Sequence, residues 1–140
     1  MKTCGIITEY NPFHQGHIYH IKKTKELTQC DCLIAIVSNH FTQRGLFSLL
    51  TMEDKTKLAL EAGCNLVIEL PPCYAAQSAD YFAKYAVESL SQLHIDQICF
   101  GSETNNISTL KEYSKQMEST QVVSSLSMNQ NLYTKNIRPN

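Results

Sequence analysis

The sequence predicts an α/β fold: a Rossmann-like parallel sheet with helices on both faces. Three observations carry this. Short apolar runs alternate with stretches of helical periodicity through residues 1–103. The clearest run, Cys32 to Val37, is apolar without a break, which marks a strand covered on both faces. Gly63, Pro71, Pro72 and Gly101 stand at junctions between segments, where the chain must stop or turn. Strand and helix in alternation imply right-handed crossovers and a parallel sheet.

The first strand is Cys4-Gly5-Ile6-Ile7, ending at Thr8. A helix follows from Gly16 to about Leu27, suggested by the apolar Ile18 and Ile21 and the long stems of the lysines. The second strand is Cys32–Val37. Met52–Ala62 reads as a helix, with Leu58, Ala59 and Ala62 at helical spacing, Thr51 as N-cap, Asp54 three residues on, and Gly63 as the stop. Asn65–Leu70 is the third strand, ended by Pro71-Pro72. Ser78–Leu93 is a helix whose inward face is expected to hold Tyr81, Phe82, Tyr85, Ala86, Ser89 and Leu93. Ile95–Phe100 is the fourth strand. Residues 1–105 thus form the domain proper. In 106–140 one further helix is expected at 107–118, and the Ser-, Gln- and Asn-rich remainder from Glu118 is expected to be poorly ordered. With no fifth strand and covering helix in view, the chain reads as a truncated form of something longer.

Composition narrows the function. The chain is 43% hydrophobic and 18% charged, with a net charge of −1, values of an ordinary globular protein. Bulk positive charge of the kind that holds proteins on nucleic acid is absent, and no DNA partner is expected. A local patch for RNA remains open. No apolar run approaches the ~20 residues that span a bilayer, and the polar Thr8 and Glu9 interrupt any signal-like segment, so a cytoplasmic, membrane-free protein is expected. Six cysteines sit mostly in apolar runs and read as buried thiols. Cys30 and Cys32 lack the spacing and the second pair of a zinc site, and no metal site is assigned.

In an open parallel sheet, ligands bind beyond the carboxyl ends of the strands, where strand order reverses. In the order 3-2-1-4 the first and fourth strands meet there, bringing Thr8–His17 beside Gly101–Glu103. Asn11-Pro12 holds off an early helix start, Gly16 permits close backbone approach, and a helix N-terminus binds anions through unpaired N–H groups and its dipole. His14 and His17 can share one side of that turn and donate to phosphate oxygens. A zinc reading of His14, His17 and His20 lacks a completing ligand. No GxxxxGK[ST] loop, GxGxxG fingerprint or GxSxG elbow occurs, which weighs against P-loop hydrolysis, dinucleotide redox chemistry and α/β-hydrolase activity.

The segment Gly5-Ile6-Ile7-Thr8-Glu9-Tyr10-Asn11-Pro12-Phe13-His14-Gln15-Gly16-His17 resembles the first motif of the HxGH nucleotidyltransferase superfamily, whose members bind ATP and attack its α-phosphate. Phe41-Thr42-Gln43-Arg44-Gly45, Asn65–Pro71, Ser78–Ala83 and Phe100–Glu103 follow in order. Together they resemble the tRNA(Met) cytidine acetate ligase family from residue 2 to about 105. The resemblance implies activation of acetate by ATP to acetyl-adenylate, then acetyl transfer to the wobble cytidine of elongator tRNA(Met), giving N4-acetylcytidine. It implies a nucleotide segment Ile7, Thr8, Glu9, Tyr10, Asn11, Pro12, Phe13, His14, Gln15, Gly16, His17, Ile18, Tyr19 and His20, with Gly101 as a second contact. His14 and His17 become the catalytic pair and Arg44 a substrate or tRNA contact. Magnesium on the phosphates is expected on general grounds, with no dedicated carboxylate cluster in the sequence.

Two features depart from the pattern. Ser38-Asn39-His40 stands where the family more often has Ser-Gly-Asn. Family members also run to several hundred residues, so the chain is expected to be the N-terminal part of such an enzyme or a truncated product. A small-molecule adenylyltransferase and an inactive nucleotide-binding domain stay open as alternatives.

Overall fold

Leu33 to Val37 are apolar without interruption because their strand is covered twice. In β2 (Cys32–Ser38), Leu33, Ala35 and Val37 join one core cluster with Cys4, Ile6, Ile21 and Ala59. Ile34 and Ile36 join the opposite one with Leu70, Ala75, Ala86, Leu90 and Ile95. The period-two alternation of strand side chains sorts them between the two layers. The computed structural model describes residues 1–102, 106–119 and 132–136. In chain order the other elements are β1 (Thr3–Thr8), α1 (Gln15–Thr28), α2 (Met52–Ala62), β3 (Leu66–Leu70), the single turn α3 (Pro72–Ala75), α4 (Ala79–Gln92), β4 (Gln97–Gly101), α5 (Ile107–Ser119) and β5 (Leu132–Asn136).

The sheet runs β3-β2-β1-β4-β5. The first four strands are mutually parallel, in the 3-2-1-4 order read from the sequence, and the fold is the Rossmann-like one expected. α1 and α2 supply the first core cluster (Ile21, Ala59), and α3 and α4 the second (Ala75, Ala86, Leu90). No described helix is long and apolar enough to cross a membrane.

The helix ends follow their chemistry. The Thr51 hydroxyl accepts from the Asp54 N–H at 3.1 Å, and Glu53 and Asp54 in the first turn complement the helix dipole. Gly63 ends α2 at φ 118°, a left-handed conformation that a Cβ would strain.

Three expectations need correction. β5 pairs antiparallel with β4, Leu132 opposite Gly101 and Asn136 opposite Gln97, within a stretch expected to be poorly ordered, so a fifth strand does exist. An antiparallel edge strand needs no continuous apolar run, and Leu132-Tyr133-Thr134-Lys135-Asn136 offered none. The rest of that expectation falls on 120–131 and 137–140, outside the described residues, as does Glu103. α3 was not anticipated, because Pro71-Pro72, read as a strand stop, also suits a helix start. In α4 the buried residues are Ala86 and Leu90, flanked by half-buried Phe82 and Tyr85. Tyr81 and Leu93 are exposed, since the stripe runs 82–86–90 and leaves Tyr81 about 100° around the helix.

Candidate functional site

α1 opens with histidine where serine, threonine or aspartate usually stands. His14 is extended (φ −148°, ψ 176°) and is the N-cap. Its Nδ1 accepts from the Gly16 N–H at 3.1 Å. In return the His17 Nδ1 accepts from the His14 N–H at 3.2 Å. This is a capping box built from two imidazoles. Each Nδ1 is an acceptor, so in the neutral ring each proton sits on Nε2, and both Nε2–H groups remain as donors. A Cβ at Gly16 would lie 2.9 Å from the His14 Cε1, so any other residue there would push the capping ring aside.

The capping box changes what the helix end can offer. The Gly16 and His17 N–H groups are already engaged, the latter with the His14 carbonyl at 2.9 Å. Two of the amides expected to be bare are therefore spent inside the turn, and the donors available to an anion shift toward the imidazoles.

The rings rest on an aromatic wall. His14 and His17 have centroids 3.9 Å apart, and the edge of Tyr10 meets His17 at 4.9 Å. Phe13 packs against Tyr10 at 4.8 Å. Tyr10 is wholly buried, and burial pushes its hydroxyl pKa up. It adopts a left-handed backbone (φ 49°) just before a cis Asn11–Pro12 bond. Its ring is thus part of the core and anchors the turn. Ile7 likewise packs into the second core cluster. Glu9 accepts from the Gln43 N–H, and Asn11 Oδ1 accepts from the Leu49 N–H at 2.6 Å. Side chains open to solvent are those of Pro12, His14, Gln15 and Tyr19, while Thr8 and Ile18 are half-buried. His20 has its Nε2 buried without a hydrogen-bond partner, and burial lowers its pKa.

Burial, followed by the neighbouring His14 and His20, lowers the His17 pKa to about 4. At neutral pH this ring is an uncharged donor. As pH falls from 6.5 toward 4, the unfolded chain gains a proton at residue 17 that the folded chain refuses. Stability is therefore expected to decline across that window and level off below it, with His20 acting in the same direction. Proton NMR titration of the C–H resonances should put the His17 midpoint near 4. A midpoint at 6.5 would show a solvated ring and no such cap.

The β1–β4 register pairs Cys4 with Gln97 and Gly5 with Ile98. Continued along both strands, it sets Gly101 level with Thr8, so the exposed Gly101 stands at the strand-order reversal beside the histidine turn. A cavity of about 370 Å³ lies between α1 and α2, lined by Phe13, His14, Gln15, Ile18, Lys22 and Leu58 among others. Arg44 is not brought into the cluster. It is exposed in the 41–47 loop, next to Gly45 at φ 74°. Among the described residues, no group of three or more His, Cys, Asp or Glu side chains is placed to hold a metal ion.

Sequence reading missed Lys55, which is fully buried and donates to the Ser38 and Asn39 carbonyls at 2.7 and 3.0 Å. Its signal was a lysine four residues before Ala59, on the inward face of α2.

A histidine-capped helix after the first strand of a 3-2-1-4 sheet is the arrangement of a nucleotidyltransferase. The family model described as HIGH Nucleotidyl Transferase matches residues 1–137, and the chain belongs to that family. It is 50% identical over 115 residues to the tRNA(Met) cytidine acetate ligase of Geobacillus sp. (strain WCH70), covering 82% of this chain and 29% of that protein. It is 49% identical over 116 residues to the tRNA(Met) cytidine acetate ligase of Clostridium novyi (strain NT), with the same coverage. The crystal structure of Thermotoga maritima TmcAL bound with alpha-thio ATP superposes with a TM-score of 0.80 at 37% identity, covering 86% of this chain and 30% of that one. The chain thus spans under a third of the length of these relatives.

Proposed function

We propose that this chain is the ATP-binding portion of a tRNA(Met) cytidine acetate ligase. The observation that carries the reading is the imidazole capping box at the strand-order reversal, with both Nε2–H groups left as donors. In the proposed reaction an acetate oxygen attacks the α-phosphorus of ATP and pyrophosphate leaves. The N4 amine of the wobble cytidine of elongator tRNA(Met) then attacks the acetyl carbonyl and AMP leaves. Acetate is the nucleophile, so no serine or cysteine nucleophile is needed, and catalysis reduces to positioning and charge stabilisation.

The assigned roles follow from position. His14 and His17 donate to phosphate oxygens as negative charge shifts toward the departing pyrophosphate. Gly101 lets the backbone of β4 approach the nucleotide. The remainder of the Ile7–His20 segment shapes the turn, and Arg44 reaches toward RNA. Magnesium accompanies the phosphates as part of the nucleotide substrate, and no step is assigned to a protein-held ion. Six free thiols suit a reducing cytoplasm.

The 50% identity to a ligase over 82% of the chain supports this reading, as does the likeness to a solved relative holding an ATP analogue. Calorimetric titration with ATP, followed by pyrophosphate exchange into ATP with and without acetate, tests it. Saturable ATP binding and acetate-dependent exchange are expected. Exchange that instead requires a phosphorylated acceptor would identify a small-molecule adenylyltransferase. A folded chain that binds no ATP would overturn the reading.

A further inference from the structure

Among the described residues Lys55 is the one charged side chain that is fully buried. A buried ammonium is expensive in free energy unless its hydrogens are used. An apolar residue at this position, four before Ala59, would serve the core as well. Two of its three hydrogens go to the carbonyls of Ser38, the last residue of β2, and Asn39, the residue after it. Burial lowers the lysine's pKa, and the Glu9 carboxylate opposes this in part by favouring the charged form.

These carbonyls mark where the chain leaves the sheet and begins the 39–50 loop. Further ties run outward from that point. The Asn39 amide donates to the Glu69 carboxylate. The Gln43 N–H donates to the Glu9 carboxylate, and the Leu49 N–H to Asn11 Oδ1 at 2.6 Å. Within the loop, the Thr42 N–H donates to the Leu46 carbonyl at 2.8 Å, closing the turn that carries Arg44. Glu9 and Asn11 belong to the turn that sets the His14 cap, so loop and nucleotide turn share one hydrogen-bonded frame.

We infer that Lys55 is a positioning residue: it fixes the exit of β2 and thereby holds the Arg44 loop against the Glu9–Asn11 turn. Its consequence for nucleotide affinity rests on the reading of that turn as the ATP site. The test compares the wild-type chain with Lys55→Met and Lys55→Arg, by amide hydrogen exchange and by ATP calorimetry. Met keeps the length and removes the donors, so the Gln43 and Leu49 amides are expected to exchange about tenfold faster while Ile36 in β2 stays protected. ATP affinity is expected to fall by a similar factor, and arginine to restore part of both. Unchanged exchange at Gln43 and Leu49 in folded Lys55→Met overturns the inference. Should that variant not fold, Lys55→Gln carries the test, keeping a polar side chain whose shorter reach loosens the hold on the two carbonyls. Faster exchange at the two loop amides supports the inference, and unchanged exchange overturns it. If the wild-type chain binds no ATP, the nucleotide reading fails, and the exchange data alone decide the role of Lys55.

Discussion

Replacing His14 with asparagine is expected to leave stability within about 0.5 kcal/mol of the wild type and to weaken ATP binding roughly ten- to hundredfold. The two effects are expected to separate because capping and the proposed phosphate contact use different nitrogens of His14. Nδ1 caps α1 through the Gly16 N–H, and an asparagine side-chain oxygen can accept that bond as well as any residue. The partner bond, from the backbone N–H of residue 14 to the His17 ring, survives the exchange. What asparagine lacks is the Nε2 donor. Losing a donor to a charged oxygen costs about 1.5–3 kcal/mol, which corresponds to ten- to hundredfold in affinity. His14→Ala should lose both, with a further ~1 kcal/mol from the missing cap. Thermal denaturation and calorimetric titration of the two variants check this. Full ATP affinity in His14→Asn would reduce the histidine to a helix cap.

The second large effect is expected in the core. A Cβ on Gly5 would lie 2.6 and 2.8 Å from the two Leu90 methyls and 2.7 Å from the Ile95 Cδ1. α4 therefore seats Leu90 on bare backbone in the central strand. Gly5→Val should cost on the order of 3 kcal/mol, the upper range for overpacking a core, a large share of a typical domain's stability. Leu90→Ala on its own opens a cavity costing about 2–5 kcal/mol, yet in the Gly5→Val background it makes room for the new methyls. The double variant should be less destabilised than the sum of the two, as sites in contact require. Urea denaturation of the three variants measures this, and simple additivity would contradict the packing.

The sequence was most informative where one physical constraint dominated. The unbroken Leu33–Val37 run could only be a strand covered twice, and Thr51, Asp54 and Gly63 bounded α2 at the residues observed, Met52–Ala62. The histidine turn was legible because Asn11-Pro12, Gly16 and two imidazoles occur together after a strand. What stayed hidden depends on partners distant in sequence. Lys55 looks like any helix lysine until Ser38 and Asn39 turn their carbonyls toward it. The Glu9–Gln43 and Asn11–Leu49 ties span loops that carry no periodicity. His14 and His17 were read as ligand groups, and nothing in their spacing announced that each also closes a capping bond, because histidine seldom caps helices. β5 escaped because an edge strand answers to its neighbour's backbone more than to its own side chains.

The direction of that last strand has a topographic consequence. β5 starts with Leu132 opposite Gly101, at the carboxyl edge of the parallel strands, and finishes with Asn136 opposite Gln97, at the far edge of the sheet. Five residues of strand carry the backbone roughly 17 Å away from the carboxyl edge. In a longer relative sharing this strand, whatever succeeds it sets out from the underside of the domain.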